Sequence, residues 1–176
     1  MTEPIISTAA AKQDKLFYIV ANIAIVNRTD ATVLILKRSE TEKVHPGKWA
    51  FPGGKLEHAD VARLLEETKS QPIDGVDNVM GILAMREAKE ECGLSVDAMT
   101  AKVLSNKVFI RPDRVPVFMT VMSTEYAGGT VVLEEGAFSD FAWIGLADLP
   151  NYDLIQGLAK DIQVAFKEMN LSADGN

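Results

Sequence analysis

The reading of this chain turns on Arg86-Glu87-Ala88-Lys89-Glu90-Glu91-Cys92-Gly93-Leu94. Each residue of an α-helix turns by about 100°, so carboxylates at i, i+3 and i+4 share an arc of roughly 100°. Glu87, Glu90 and Glu91 have that spacing, while Ala84, Met85, Ala88 and Cys92 form a small, apolar arc beside them. Such a helix can bury one stripe and present three carboxylates next to it. Like charges so spaced repel, by roughly 0.2–0.5 kcal/mol per pair on an exposed helix. The neighbouring Arg86 offsets part of this. A hard divalent cation offsets more, because Mg²⁺ takes carboxylate oxygens and keeps waters for phosphate ligands. The pattern predicts a helix from about Asp77 to Cys92, ended by Gly93 at the C′ position.

Working upstream, Gly53-Gly54-Lys55-Leu56-Glu57 is the second informative stretch. Two successive glycines let the backbone approach a ligand closely, and their amides or carbonyls can face phosphate or metal. The surrounding VHPGKWAFPGGKLE has two prolines and three glycines in fourteen residues, which reads as loop with a brief strand at Trp49 to Phe51. Between the two motifs, DVARLLEETK has apolar residues at 61, 64 and 65, a helical spacing with Asp60 as its N-cap; SQPIDG breaks it.

Further out, LFYIVANIAIVNR and TVLILKRS are β-branched runs joined by a turn at Arg28-Thr29-Asp30, an antiparallel hairpin. Two strands follow the acidic helix, near Val103 to Ile110 and Val115 to Ser123, around the turn RPDR. VVLEE and FAWIGL read as short strand material, and LIQGLAKDIQVAFKEM as a terminal amphipathic helix. Strands and helices mix without strict alternation, which predicts an α/β (α+β) domain with a mixed sheet. The expected organisation is a loose tail over 1–15, one domain over 16–170 and a fray over 171–176.

Composition narrows the function. Of 176 residues, 47% are apolar, which suits a packed core. The formal net charge of −7 argues against holding nucleic acid by a broad cationic surface. Any phosphate ligand must then be met by a local site, or by a metal that reverses the local sign. A single cysteine, Cys92, excludes a disulfide framework and a cysteine zinc cluster. The longest apolar run, Phe17 to Val26, is far short of the roughly 20 residues a membrane helix needs. The first residues lack the basic start and apolar centre of a signal peptide, so a cytoplasmic setting without membrane association is expected.

Together the two motifs resemble the Nudix box, the signature of the MutT-like pyrophosphohydrolases. That family's pattern is Gly, five residues, Glu, seven residues, then Arg-Glu-aliphatic-x-Glu-Glu-x-Gly-aliphatic. The chain matches its second half at Arg86, Glu87, Glu90, Glu91, Gly93 and Leu94, with Ala88 in the aliphatic position. Gly54 stands as the first glycine, and after five intervening residues Asp60 replaces the family's Glu. Twenty-five residues then separate Asp60 from Arg86, an excess of 18 over the family spacing. An insertion over about 61–78 accounts for it, and it leaves open whether Asp60 stays near the site.

The resemblance implies a Nudix-type α/β/α sandwich, its mixed sheet between helices, and hydrolysis of a phosphoric anhydride bond in a small-molecule nucleoside diphosphate derivative. Nucleoside triphosphates, ADP-ribose, nucleotide sugars and dinucleoside polyphosphates are the candidates. It further implies that Glu87, Glu90 and Glu91, with a backbone carbonyl at Gly53, hold Mg²⁺ or Mn²⁺, while Arg86 orients a carboxylate. The general base is expected at Glu90 or Glu91, or at Glu135 in the Glu134-Glu135-Gly136 loop. Arg38, Lys55, Gly54 and Phe51 are the expected substrate contacts. Two readings accompany this one: a nucleotide-binding or sensor module that has lost hydrolysis, and an inserted helix that packs on its own domain or on a twin subunit as a homodimer.

Overall fold

The computed structural model describes residues 6–68 and 75–171. In chain order the strands and helices are β1 (Tyr18–Asn27), β2 (Thr32–Arg38), β3 (Trp49–Ala50), β4 (Gly53–Lys55), α1 (His58–Thr68), α2 (Val79–Cys92), β5 (Lys102–Ile110), β6 (Pro116–Glu125), β7 (Phe138–Ile144) and α3 (Leu158–Glu168). Short 3₁₀ turns precede β1 at Gln13–Lys15 and follow β7 at Leu146–Asn151. Among the described residues, seven strands form one sheet, with β3-β2-β1-β6-β5 as its main path. Of these strand pairs β1 and β6 run parallel and the others antiparallel.

The expected mixed sheet between helices is present. Against one face, Ile23, Ile25, Leu34 and Leu36 pack with Leu83, Ala84, Ala88 and Cys92 of α2. On the other, Ala24, Val26, Val33 and Ile35 pack with Leu158, Ile162, Ala165 and Phe166 of α3. This two-sided burial is why β1 and β2 read as near-continuous apolar runs instead of alternating ones. Among the described residues, no helix is long and apolar enough to cross a membrane.

One departure from a regular hairpin positions the site. β1 and β2 pair only near their turn, at Val26↔Val33 and Asn27↔Thr32. They then diverge, and β4 lies along the first half of β1, with Asn22↔Gly53, Ala21↔Gly54 and Val20↔Lys55. The Gly53-Gly54 stretch, read from sequence as loop, is therefore a short strand beneath α2. A second difference concerns VVLEE, which forms no strand. It instead satisfies the free carbonyls at the end of α2: the Val132 and Glu134 N–H groups donate to the Cys92 and Glu91 carbonyls, at 3.0 and 3.1 Å.

The first eight residues of the expected insertion, 61–68, complete α1, and Lys69 to Asp74 lie outside the described residues. Asp60 is not its N-cap. The helix starts two residues earlier, and the Asp60 carboxylate reaches back to accept the Glu57 N–H at 2.9 Å. Leu64 is buried and faces Leu56, Val79, Ile82 and Leu83 across a narrow crevice, so α1 packs on its own domain.

Candidate active site

The acidic stretch lies on the last turns of α2. Gly93 ends the helix with φ 72°, and its N–H closes on the Lys89 carbonyl at 3.2 Å. A left-handed residue there favours glycine, because any Cβ would be strained. The stop orients the three carboxylates differently. Glu87 is 7% exposed and lies against β4; a Cβ added at Gly54 would collide with its carboxylate. Glu91 is partly buried and accepts the Gly53 N–H at 2.7 Å. Glu90 is exposed.

Arg86 ties the group together. Its Nη2 donates to Glu87 Oε1 at 2.6 Å and its Nη1 to Glu90 Oε2 at 2.6 Å. Its Nε faces Asp60 Oδ1 at 3.2 Å as an ion pair outside hydrogen-bond geometry. Nη2 also contacts Asp60 Oδ2 at 3.4 Å and the Lys55 carbonyl at 3.3 Å. Asp60 thus returns to the site despite the 25 residues between it and Arg86.

These side chains are poorly compensated. Burial is the main force that pushes Glu91 up to about 8; the Gly53 N–H works against it, and the charges of Glu87 and Glu134 add to it. Burial also pushes Glu87 up to about 7, against the pull of Arg86 and with further repulsion from Glu90, Asp60 and Glu134. For Arg86, burial opposes the charge, but Glu87, Asp60 and Glu90 outweigh it and raise its pKa.

Hard carboxylate oxygens strained in this way are a donor set that suits a divalent cation of the Mg²⁺ type. Among the described residues, no three acidic, histidine or cysteine side chains already converge on one point. Arg86 draws Glu87 and Glu90 to itself, and the Gly53 amide draws Glu91. The oxygens are adjacent, but these partners hold them apart.

The remaining expected residues divide. Arg38 lies near enough for its charge to lower Glu91, while its Nε donates to the Val44 carbonyl at 2.8 Å and its Nη2 pairs with Glu42. Lys55 is exposed, with Nζ 5.8 Å from the Tyr18 ring centroid. Phe51 is a correction: it is 3% exposed and belongs to the core under α3, so it offers no face to a ligand. Within the Glu134-Glu135 pair both side chains are exposed, and it is the charge of Glu134 that lies near enough to raise the pKa of Glu87 and Glu91. Local spacing could not tell the two apart, because the N–H of Glu134 on the Glu91 carbonyl sets the choice. Cys92 is a core thiol that donates to the Ala88 carbonyl at 3.0 Å, and burial pushes it up to about 11.

The sandwich of α2, sheet and α3 can now be compared with known proteins. The MutT protein from Methanosarcina mazei Go1 superposes with a TM-score of 0.66 over 92% of this chain and 100% of its own, at 20% identity. The fold is that of the Nudix proteins. Another Nudix-fold structure, the NUDIX domain of Shewanella oneidensis NrtR complexed with ADP ribose, gives a TM-score of 0.66 over 92% of this chain and 95% of that one, at 15% identity. A C. elegans Ap4A hydrolase binary complex gives 0.55 over 86% and 98%, at 13% identity. No protein-family model and no curated protein matches the sequence. At these identities the Nudix likeness is one of fold.

Proposed function

We propose that this protein is a metal-dependent pyrophosphohydrolase, using Mg²⁺ or Mn²⁺ to cleave a nucleoside diphosphate linked to another moiety by water attack on phosphorus. The observation that carries this reading is the seating of Glu87 and Glu91 of α2 against Gly54 and Gly53 of β4, inside a Nudix fold. Two poorly compensated carboxylates against bare backbone suit a cation and a phosphate better than they suit a packed interior. A cytoplasmic setting is part of the same proposal.

In this mechanism Glu87, Glu90, Glu91 and the Gly53 carbonyl would hold the cation, which would supply neutralisation of phosphate charge and a more acidic water. Arg86 stays with its acids and fixes the Glu87 and Glu90 carboxylates, so it orients them and does not touch substrate. Glu91 accepts the proton of the attacking water, and Glu134, whose charge lies near the same carboxylates, is the second group placed to do so. Gly54 keeps the backbone free of a side chain that would displace Glu87. Arg38, on the Glu91 side, meets substrate phosphate.

The test is Mg²⁺-dependent release of phosphate products from a panel of nucleoside triphosphates, ADP-ribose, nucleotide sugars and dinucleoside polyphosphates. Turnover of at least one compound, abolished by Glu91→Gln, is the expected result. If no compound is hydrolysed, and Glu91→Gln alters only ligand affinity, the protein is a binding module and the enzyme reading fails.

A further inference from the structure

The α2 side of the sheet is covered only in part. In β1, Ala21 and Ile23 lie under α2, while Ile19, two residues earlier on the same side, is exposed. Register carries this bare face outward, because Ile19 pairs with Phe118, and Phe118 with Val108 of β5. Leu16 and Phe17, just before β1, close it into an apolar groove with these three side chains. Val108 is 67% exposed, and Ile110, two residues on along the same side of β5, is 73% exposed. β5 also ends the main path of the sheet, with β6 as its strand partner among the described residues.

Edge strands commonly carry outward charges that keep other chains off. The two lysines of β5 do not serve in this way, because Lys107 is tied to Asp161 and Lys102 to Glu168, both on α3. The cation that lines the groove, Lys15, pairs with the adjacent Asp14 at 2.9 Å. Two such faces can therefore meet without adding to the repulsion between chains of net charge −7. Residues 1–5, 69–74 and 172–176 have Met1, Ile5 and Ile73 as their large apolar side chains, too few to cover the face. Taking about 200 Å² for a fully exposed large residue, Phe17, Ile19, Val108, Ile110 and Phe118 present roughly 500 Å² of apolar surface. A homodimer contact of standard size takes about 800 Å² from each partner, about 65% of it apolar, which is the same amount. The face also sets β-branched Val108 and Ile110 beside aromatic Phe17 and Phe118. Across a two-fold axis each half meets the other half of its copy, and antiparallel pairing of β5 with itself satisfies both edges at once.

We infer that the uncovered α2-side face of β1, β6 and β5, with the free edge of β5, is the interface for a second copy of this chain across a two-fold axis. This dimer continues the sheet from one protomer into the next through β5. It differs from a dimer through the inserted helix, whose Leu64 is already buried in its own domain. It holds whether or not the protein is a pyrophosphohydrolase.

Sedimentation velocity of the full chain at micromolar concentration should give twice the 19.2 kDa of one chain. Val108→Asp places an unpaired carboxylate in the contact from each side and should raise the dissociation constant roughly 100-fold or more, leaving a monomer that is folded by circular dichroism. Phe141→Lys alters an exposed hydrophobic on β7, across the sheet from β5, and should leave the dimer as it is. Cross-linking decides the matter even where Val108→Asp does not fold. Ile110→Cys should be joined to its copy by a bis-maleimide, because Cys92, the chain's one natural thiol, is buried; Phe141→Cys should not be joined. A monomer at every concentration overturns the inference, including one that binds a different protein by this face. So does a dimer that keeps its affinity in Val108→Asp, or one in which Ile110→Cys is not cross-linked.

Discussion

Two helices cover the sheet, and each buries one acid. On α3, Asp161 is 7% exposed and meets Lys107 of β5 at 2.5 Å, among Leu158, Ile162, Ala165 and Phe166. On α2, Glu87 is equally buried, but its cation, Arg86, is shared with Asp60 and Glu90, and Glu91 nearby has, among the described residues, the Gly53 N–H as its hydrogen-bond partner and no ion pair, only the more distant charge of Arg38. The interior stripe of α2 is also smaller, with Gly81, Ala84, Ala88 and Cys92 among its buried residues. One helix thus pairs its buried charge and fills its seam with large side chains. The other approaches the sheet closely and leaves carboxylates short of cations. A buried charge without a full partner is costly, so its presence on one helix and not on the other marks where stability has yielded to function.

The contrast can be broken most directly at Glu91. Glu91→Gln should lower the hydrolysis rate by about 10²–10⁴-fold, the range for loss of a positioned proton acceptor, with a melting temperature equal to or above that of the unmodified protein. A matching fall in melting temperature would place Glu91 with the structural acids. On the opposite face, Phe166→Ala should cost about 3–5 kcal/mol in denaturant unfolding, while the folded fraction keeps its activity per molecule. Next comes Gly54→Ala, where the added methyl displaces Glu87 and should reduce turnover on the order of 10²-fold. A rate unchanged by that substitution would mean that the position of Glu87 does not matter.

A pH series sharpens the same comparison. Glu87 and Glu91 have folded pKa values raised to about 7 and 8, above the ordinary carboxylate value of 4.5. Each is destabilising when charged, so the metal-free protein should be most stable near pH 5 and lose stability as pH rises through 7 and 8. Thermal unfolding should show a higher Tm at pH 5.5 than at pH 8.5, a smaller difference in Glu91→Gln, and recovery on addition of Mg²⁺ at the higher pH. The smallest effect is expected at Asp60→Asn. Arg86 keeps Glu87 and Glu90, so the loss should be about 0.5–1 kcal/mol, read as a shift in denaturant midpoint.

Much of this was legible in the chain. The hairpin, the acidic helix and its Gly93 stop, the terminal helix and the mixed sheet all follow from periodicity and breakers, which act over a few residues. The carboxylate arc was equally local, since i, i+3 and i+4 spacing fixes it once the helix forms. Misreadings arose where a distant partner decided. Gly53 to Lys55 looked like loop because two glycines weaken any strand, and pairing with Asn22, Ala21 and Val20 overrides that preference. VVLEE had strand composition, yet the open carbonyls at the end of α2 claimed its amides. Phe51, beside the paired glycines, was an expected substrate contact, and the α3 seam absorbed it.

By itself the sequence determined which residues could do chemistry: the carboxylates of α2, the glycines that lie under them and an arginine able to bind several acids. It did so because helical geometry and glycine's missing Cβ are properties of adjacent residues. Only the tertiary structure decided that Asp60 returns to Arg86 across α1, that the charge of Glu134 instead of Glu135 reaches the cluster, and that β5 ends the main path of the sheet with Val108 and Ile110 exposed. Those choices depend on charge and burial between segments far apart in sequence, which meet only after the sheet has formed.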